Sequence, residues 1–266
     1  MNTAQCEKEL QAQIPWERTK YFPLYNDILG FYQVQACLEH ARFPALLDLA
    51  CGDGLLTALF APHFERVVGV DAAAVHLAAA RDRLPGVEFH ECLIEELAIP
   101  ERFDSIFMLN ILEHVLDPVL VLQKAASFLK EDGVLIVQVP NANAINRKIA
   151  VLMGTLESCE ELSPFDLNIA GHRRSYTLAT LTADILEAGL SVKATGGVFY
   201  KMLSTAQIDW FLENGLWAEG GFGWGRVGAT PQDWRARFCQ ACYDIGKERP
   251  EDCNVIYAVI TRPTRA

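Results

Sequence analysis

The residue types that can do chemistry concentrate first in Asp48-Leu49-Ala50-Cys51-Gly52-Asp53-Gly54. An apolar run, Ala45–Leu49, leads into this stretch, and a helical pattern, Leu55–Ala61, leaves it. A strand, a small-residue turn and a helix N-terminus in that order let a ligand approach the backbone and meet free N–H groups. A second acid, Asp71, ends another short apolar strand, Val67-Val68-Gly69-Val70. A carboxylate there can accept from both hydroxyls of a ribose. The dinucleotide fingerprint requires a third glycine three positions after the second. Here Leu55, Leu56 and Thr57 follow Gly54, and the early acid Asp48 suits a ligand with a positive amine better than a diphosphate.

These residues need a parallel sheet to hold them. Val87–His90 reads as a third strand and Phe103–Leu109 as a fourth. Asp117 and Pro118 form an N-cap and first helical position for a helix to about Leu129, with Val119, Leu122, Ala125 and Leu129 on one stripe. Glu131-Asp132-Gly133 predicts a turn before strand five, Val134–Val139, and Asn141 follows at the sheet's carboxyl edge. Leu178–Ala188 is a helix closed by Gly189, Ser191–Thr195 is strand six with Gly196-Gly197 ending or bulging it, and Cys253–Thr261 is the last strand. Residues 1–40 read as helical and rich in aromatics from Trp16 to Tyr32, as sheet packing or as a lid over the ligand. Residues 144–175 read as a cap insertion, and 202–252 as an aromatic, glycine-rich excursion with Trp210, Trp217 and Trp224.

The run Asp-Leu-Ala-Cys-Gly-Asp-Gly resembles motif I of the class I S-adenosylmethionine-dependent methyltransferases, and Asn110–Pro118 resembles their segment after strand four. The resemblance covers residues 45–140 best. It implies a Rossmann-like α/β fold: a seven-stranded, mostly parallel sheet with an antiparallel last strand, helices on both faces and a helical lid. It also implies that Asp48, Ala50 and Gly52, with Asp53 beside them, bracket the methionine end of S-adenosylmethionine. Asp71 and the adjacent Ala72 then hold the ribose, and Asn110 lies near the methionine part. Related enzymes usually read the adenine with an acid after strand three. Leu93 stands there instead, so the backbone of Leu93 and Ile94 takes that role, as in the ubiquinone-type O-methyltransferases this stretch resembles.

For catalysis the candidates are Asn141, Tyr176, His114 and His172. A histidine titrates near neutrality and suits a general base, although His114 also suits a structural hydrogen bond. The Gly171–Thr177 stretch recurs in one branch of the bacterial enzymes. There His172, Arg173 and Tyr176 are positioned to bind a carboxylate or the sulfonium, whose charge is attracted to an aromatic face. The alternative is a capping segment with Thr177 or Ser175 as cap. Tyr21 and Tyr25 are the lid residues expected to touch ligand.

Composition narrows the partners. The 266 residues carry a net charge of −11, are 51% hydrophobic and include eight cysteines. Such acidity argues against a nucleic-acid substrate. No run spans a bilayer and no leader is evident, so a cytoplasmic enzyme with reduced thiols is expected. Cys239-x-x-Cys242 is too little for a zinc site, and no metal is expected. Methyl transfer to a small molecule is the leading expectation. The alternative is cyclisation of S-adenosylmethionine itself to azetidine-2-carboxylate with release of methylthioadenosine, as in cyclases of the same fold. A cofactor-binding regulatory subunit comes third.

Overall fold

A computed structural model describes residues 7–8, 20–215, 222–223, 226–227 and 234–263. The helices used below are α1 (Pro23–Leu38), α2 (Leu55–Phe60), α3 (Ala74–Arg83), α4 (Pro118–Ser127), α5 (Ile145–Leu152), α6 (Leu178–Glu187), α7 (Thr205–Asn214) and α8 (Trp234–Glu248). The strands are β1 (Ala45–Leu49), β2 (Arg66–Asp71), β3 (Glu88–Glu91), β4 (Phe103–Leu109), β5 (Leu129–Pro140), β6 (Ser191–Tyr200), the two-residue pair β7 (Phe222–Gly223) and β8 (Arg226–Val227), and β9 (Cys253–Thr261).

Seven strands form one sheet in the order β3-β2-β1-β4-β5-β9-β6. Only β9 runs against its neighbours, lying antiparallel between β5 and β6. The chain steps outward from β1 to β2 and β3, then returns to β4 on the other side of β1. This reversal opens a crevice beyond the carboxyl ends of β1 and β4, where ligands bind in open α/β sheets. β1 is buried along its whole length because both sheet faces are covered. One face packs Leu47, Leu49, Ile106, Met108, Leu122 and Leu181 into the main core. Fully burying such side chains contributes about 1.5–3 kcal/mol each.

Local signals set the helix starts. Asp117 accepts from the Leu120 N–H at 2.9 Å, and Pro118 follows without a donor to lose. Capping boxes start α6, through Thr177 and Thr180, and α7, through Ser204 and Gln207.

Three expectations change. The predicted turn Glu131–Gly133 lies inside β5, which begins at Leu129 and shifts register against β4 between Phe103 and Ser105. Gly196-Gly197 does not end strand six, which continues to Tyr200. A Cβ on Gly196 would overlap the Tyr257 ring, and one on Gly197 would overlap Cys253, so both glycines serve close approach to β9. The 202–252 segment is also more than a cover. Its helices α7 and α8 join α1 and β6 in a second core containing Tyr25, Tyr32, Phe199, Ile208, Leu212 and Tyr243. Trp210 lies on α7 and is exposed, whereas Trp16, Trp217 and Trp224 fall outside the described residues. No described helix is long and apolar enough to cross a membrane.

Candidate active site

The larger cavity, about 550 Å³, opens beyond the carboxyl ends of β1, β2 and β4. Its floor is the turn after β1. Ala50 and Gly52 take left-handed conformations with φ of 60° and 57°, and Gly54 follows with φ of 75°. A Cβ at Gly54 would lie 3.1 Å from that of Ala80, so this glycine lets α2 seat against α3. A Cβ at Gly52 would meet no protein atom within 4 Å, which leaves a cradle open on the cavity side. Asp71 fixes the rim: its two oxygens accept from the Gly52 and Ala73 N–H groups, each at 2.9 Å. A carboxylate oxygen can accept again, so the side chain is oriented without being exhausted.

Asp48 lies 4% exposed beneath the turn and accepts from the Thr57 hydroxyl at 2.7 Å. Burial raises its pKa to about 7, partly offset by the Thr57 hydrogen bond. A cationic ligand would restore its charge. Ala72, Leu93, Ile94 and Asp53 also line the cavity. Cys92, one residue before Leu93, donates its N–H to the Asp71 carbonyl and holds the segment after β3 against the rim. Glu7 reaches the same cavity and pairs with Arg173, while Lys8 pairs with Glu96 at 2.6 Å.

A second cavity of about 290 Å³ adjoins the first, and Asn110, His114 and Ala170 line both. Asn110 has φ of 54° and donates its N–H to the Gln138 carbonyl, which turns it across the junction. Glu113 lies here 1% exposed, and neither of its carboxylate oxygens has a hydrogen-bond partner. Burial raises its pKa to about 8. His114 Nε2 stands 3.7 Å from it, and Nδ1 faces the Gly171 carbonyl at 3.3 Å. That contact assigns the ring proton to Nδ1 and leaves Nε2 as an acceptor. Burial, then the neighbouring His172, lowers the His114 pKa to about 4. Burial also lowers that of His172, which meets His114 edge-on at 4.9 Å. A neutral acid beside a neutral imidazole can receive and pass a proton. Glu113, His114 and His172 also bring three possible ligand atoms within 4.8 Å of one another, a set able to take a cation. The sequence drew attention to Cys239 and Cys242 instead.

The other candidates separate. Tyr176 reaches neither cavity: it is 2% exposed in the main core, and its hydroxyl donates to Asp184 at 2.8 Å. The expected contact with a sulfonium gives way to anchoring α6, with Thr177 as the cap. Asn141 lines the smaller cavity, but its amide nitrogen donates to the Glu251 and Cys253 carbonyls and its oxygen accepts from the Asn143 N–H. It ties the end of β5 to β9 and has little capacity left for a ligand. Arg173 donates to the His114 carbonyl and to Glu7. Tyr25 walls the smaller cavity, while Tyr21 packs edge-on against Phe165.

A family model described as a methyltransferase domain matches residues 47–137, which include the turn after β1, Asp71, Asn110 and His114. The fold agrees with a S-adenosylmethionine-dependent methyltransferase of Thermotoga maritima at a TM-score of 0.63 and 14% identity, covering 96% of this chain and 99% of that one. The chain has the fold of the S-adenosylmethionine-dependent methyltransferases, and its residues 47–137 match a methyltransferase domain. The N-methyltransferase NodS of Bradyrhizobium japonicum WM9, solved with S-adenosyl-L-homocysteine, shares the methyltransferase fold at a TM-score of 0.55 and 14% identity over 99% of this chain and 100% of that one. In sequence, a ubiquinone biosynthesis O-methyltransferase of Rhodopseudomonas palustris (strain TIE-1) is 31% identical over 121 residues, 44% of this chain and 47% of the relative. The chain spans about half the length of that relative. One from Pseudomonas aeruginosa (strain UCBPP-PA14) is 28% identical over 71% of this chain and 83% of the relative.

Proposed function

We propose that this chain transfers a methyl group from S-adenosylmethionine to a small-molecule acceptor. One observation carries the reading: two cavities meet at Asn110, His114 and Ala170, one with the cradle and acids a nucleoside cation needs, the other lined by buried proton-active groups. S-adenosylmethionine supplies an electrophilic methyl group, so the protein's main work is to align the acceptor and exclude water. Asp48 balances the cationic methionine end, Gly52 gives it room, and Asp71 accepts from the ribose hydroxyls. Leu93 and Ile94 edge the adenine, with Asp53 and Ala72 beside the turn and the ribose. His114 Nε2 takes the acceptor's proton, and Glu113 orients that exchange.

A separate second cavity favours a two-substrate reaction over cyclisation of the cofactor on itself. The seven described cysteines are all free, which fits a reducing, cytoplasmic setting. The test is incubation with S-adenosylmethionine, with and without fractionated small-molecule extract, followed by mass spectrometry. S-adenosylhomocysteine released only with extract supports methyl transfer. Methylthioadenosine formed from the cofactor alone would replace this reading with the cyclase.

A further inference from the structure

Lys201 is 3% exposed, lines the smaller cavity, and has no ion-pair partner among the described residues. Its ammonium donates to the Thr205 hydroxyl at 2.8 Å and stands 4.7 Å from the centre of the Tyr25 ring. Thr205 is the first residue of α7, so this cation sits at the positive end of a ten-residue helix. Arg147 lies close enough to oppose it, and burial with that repulsion lowers its pKa to about 7. The nearby Asp166 is already engaged by Arg147 at 3.4 Å, His172 at 3.6 Å and Ser163 at 2.8 Å. Arg174, in the same wall, spends its donors on the carbonyls of Leu112, Val115 and Leu116. With Glu113 held neutral, three cations in this wall face one occupied carboxylate. A buried, unpaired ammonium beside a helix N-terminus is costly unless an anion completes it.

We propose that the acceptor is a small carboxylic acid whose carboxylate docks at Lys201 and the first turn of α7. This deepens the methyl-transfer reading and rests on it. The carboxylate would bridge the Lys201 ammonium and the start of the helix, with the rest of the molecule extending past Asn110 toward the larger cavity. Nothing in the sequence marks Lys201, a single lysine after a glycine-containing strand.

The experiment titrates the full chain, saturated with S-adenosylhomocysteine, with benzoate and phenylacetate and with their neutral amides, by calorimetry. The acids are expected to bind at least tenfold more tightly than the amides. Lys201→Met should erase that preference and Lys201→Arg should retain part of it, while affinity for S-adenosylhomocysteine stays within twofold. Acids binding no better than amides, or a preference that survives Lys201→Met, would overturn the proposal. Should Lys201→Met not fold, ε-¹³C-lysine NMR of the unsubstituted protein decides. Benzoate, but not benzamide, must raise the midpoint of the lysine that titrates near neutrality, and an unmoved midpoint sinks the idea. Failure of S-adenosylhomocysteine to bind at all would count against methyl transfer, and the acid-over-amide preference is then read without it.

Discussion

Around the larger cavity the surface includes main chain turned left-handed at Ala50, Gly52 and Asn110, and one carboxylate, Asp71, holds the turn. Around the smaller one it comes from ionisable side chains on separate segments: Glu113 after β4, Arg147 on α5 and Lys201 after β6. The first arrangement is concentrated in residues 48–73. The second sets buried charges against one another, and a few substitutions there change what the cavity accepts. A shared cofactor with many acceptors calls for that division.

Asp71→Ala tests the first half most severely. It removes the acceptors proposed for a ribose and the clamp on Gly52, and affinity for S-adenosylhomocysteine should fall about 100-fold by calorimetry. An unchanged affinity would place the ribose elsewhere. Gly54→Ala combines a left-handed φ with a 3.1 Å approach to Ala80 and should cost about 2–3 kcal/mol in urea unfolding. Gly52→Ala, with open space before it, should keep more of the fold and still impair cofactor binding. Asp48 supplies a pH test. Its carboxyl, raised to about 7 by burial, must ionise to balance a cation. Cofactor affinity should therefore drop about fivefold from pH 7 to pH 6, and Asp48→Asn should flatten that slope.

Glu113→Gln probes the other half. Its folded pKa, about 8, lies above the unfolded value of about 4.3, so its contribution to stability is lost as pH rises between those values. Glutamine removes the loss. The variant's Tm should gain on the parent with rising pH across that window, by about 10 °C, while cofactor affinity stays within twofold. A gain that does not vary with pH would mean that Glu113 is not held neutral.

The same contrast explains what was legible in sequence. The strand–turn–helix around Asp48 to Gly54 and the acid closing β2 lie close in the chain, and small residues at fixed spacing make that geometry legible. In Asn110–Pro118 the sequence marks Asn110 and His114 but not Glu113. The burial of Glu113 depends on the 170–174 segment, where Arg173 donates its N–H to the Glu113 carbonyl across 59 intervening residues. Tyr176 failed as a ligand candidate for a related reason. Which way its ring turns is decided by the fit of α6 against the core, through Asp184, and not by its neighbours in the chain. Gly196-Gly197 looked like a strand end because the sequence does not show that Tyr257 crosses them.

Glu7 and Lys8 bear on the timing of turnover. These adjacent residues are clipped to two separated parts of the larger cavity's surroundings, Arg173 and Glu96, by partly exposed ion pairs. If a spent cofactor leaves past them, both clips must open first. Exposed pairs of this kind are weak singly and screened by salt. Dwell time, more than affinity, is then what Glu7 and Lys8 would set: S-adenosylhomocysteine should leave faster as ionic strength rises, and faster still from Lys8→Ala in stopped-flow chase experiments.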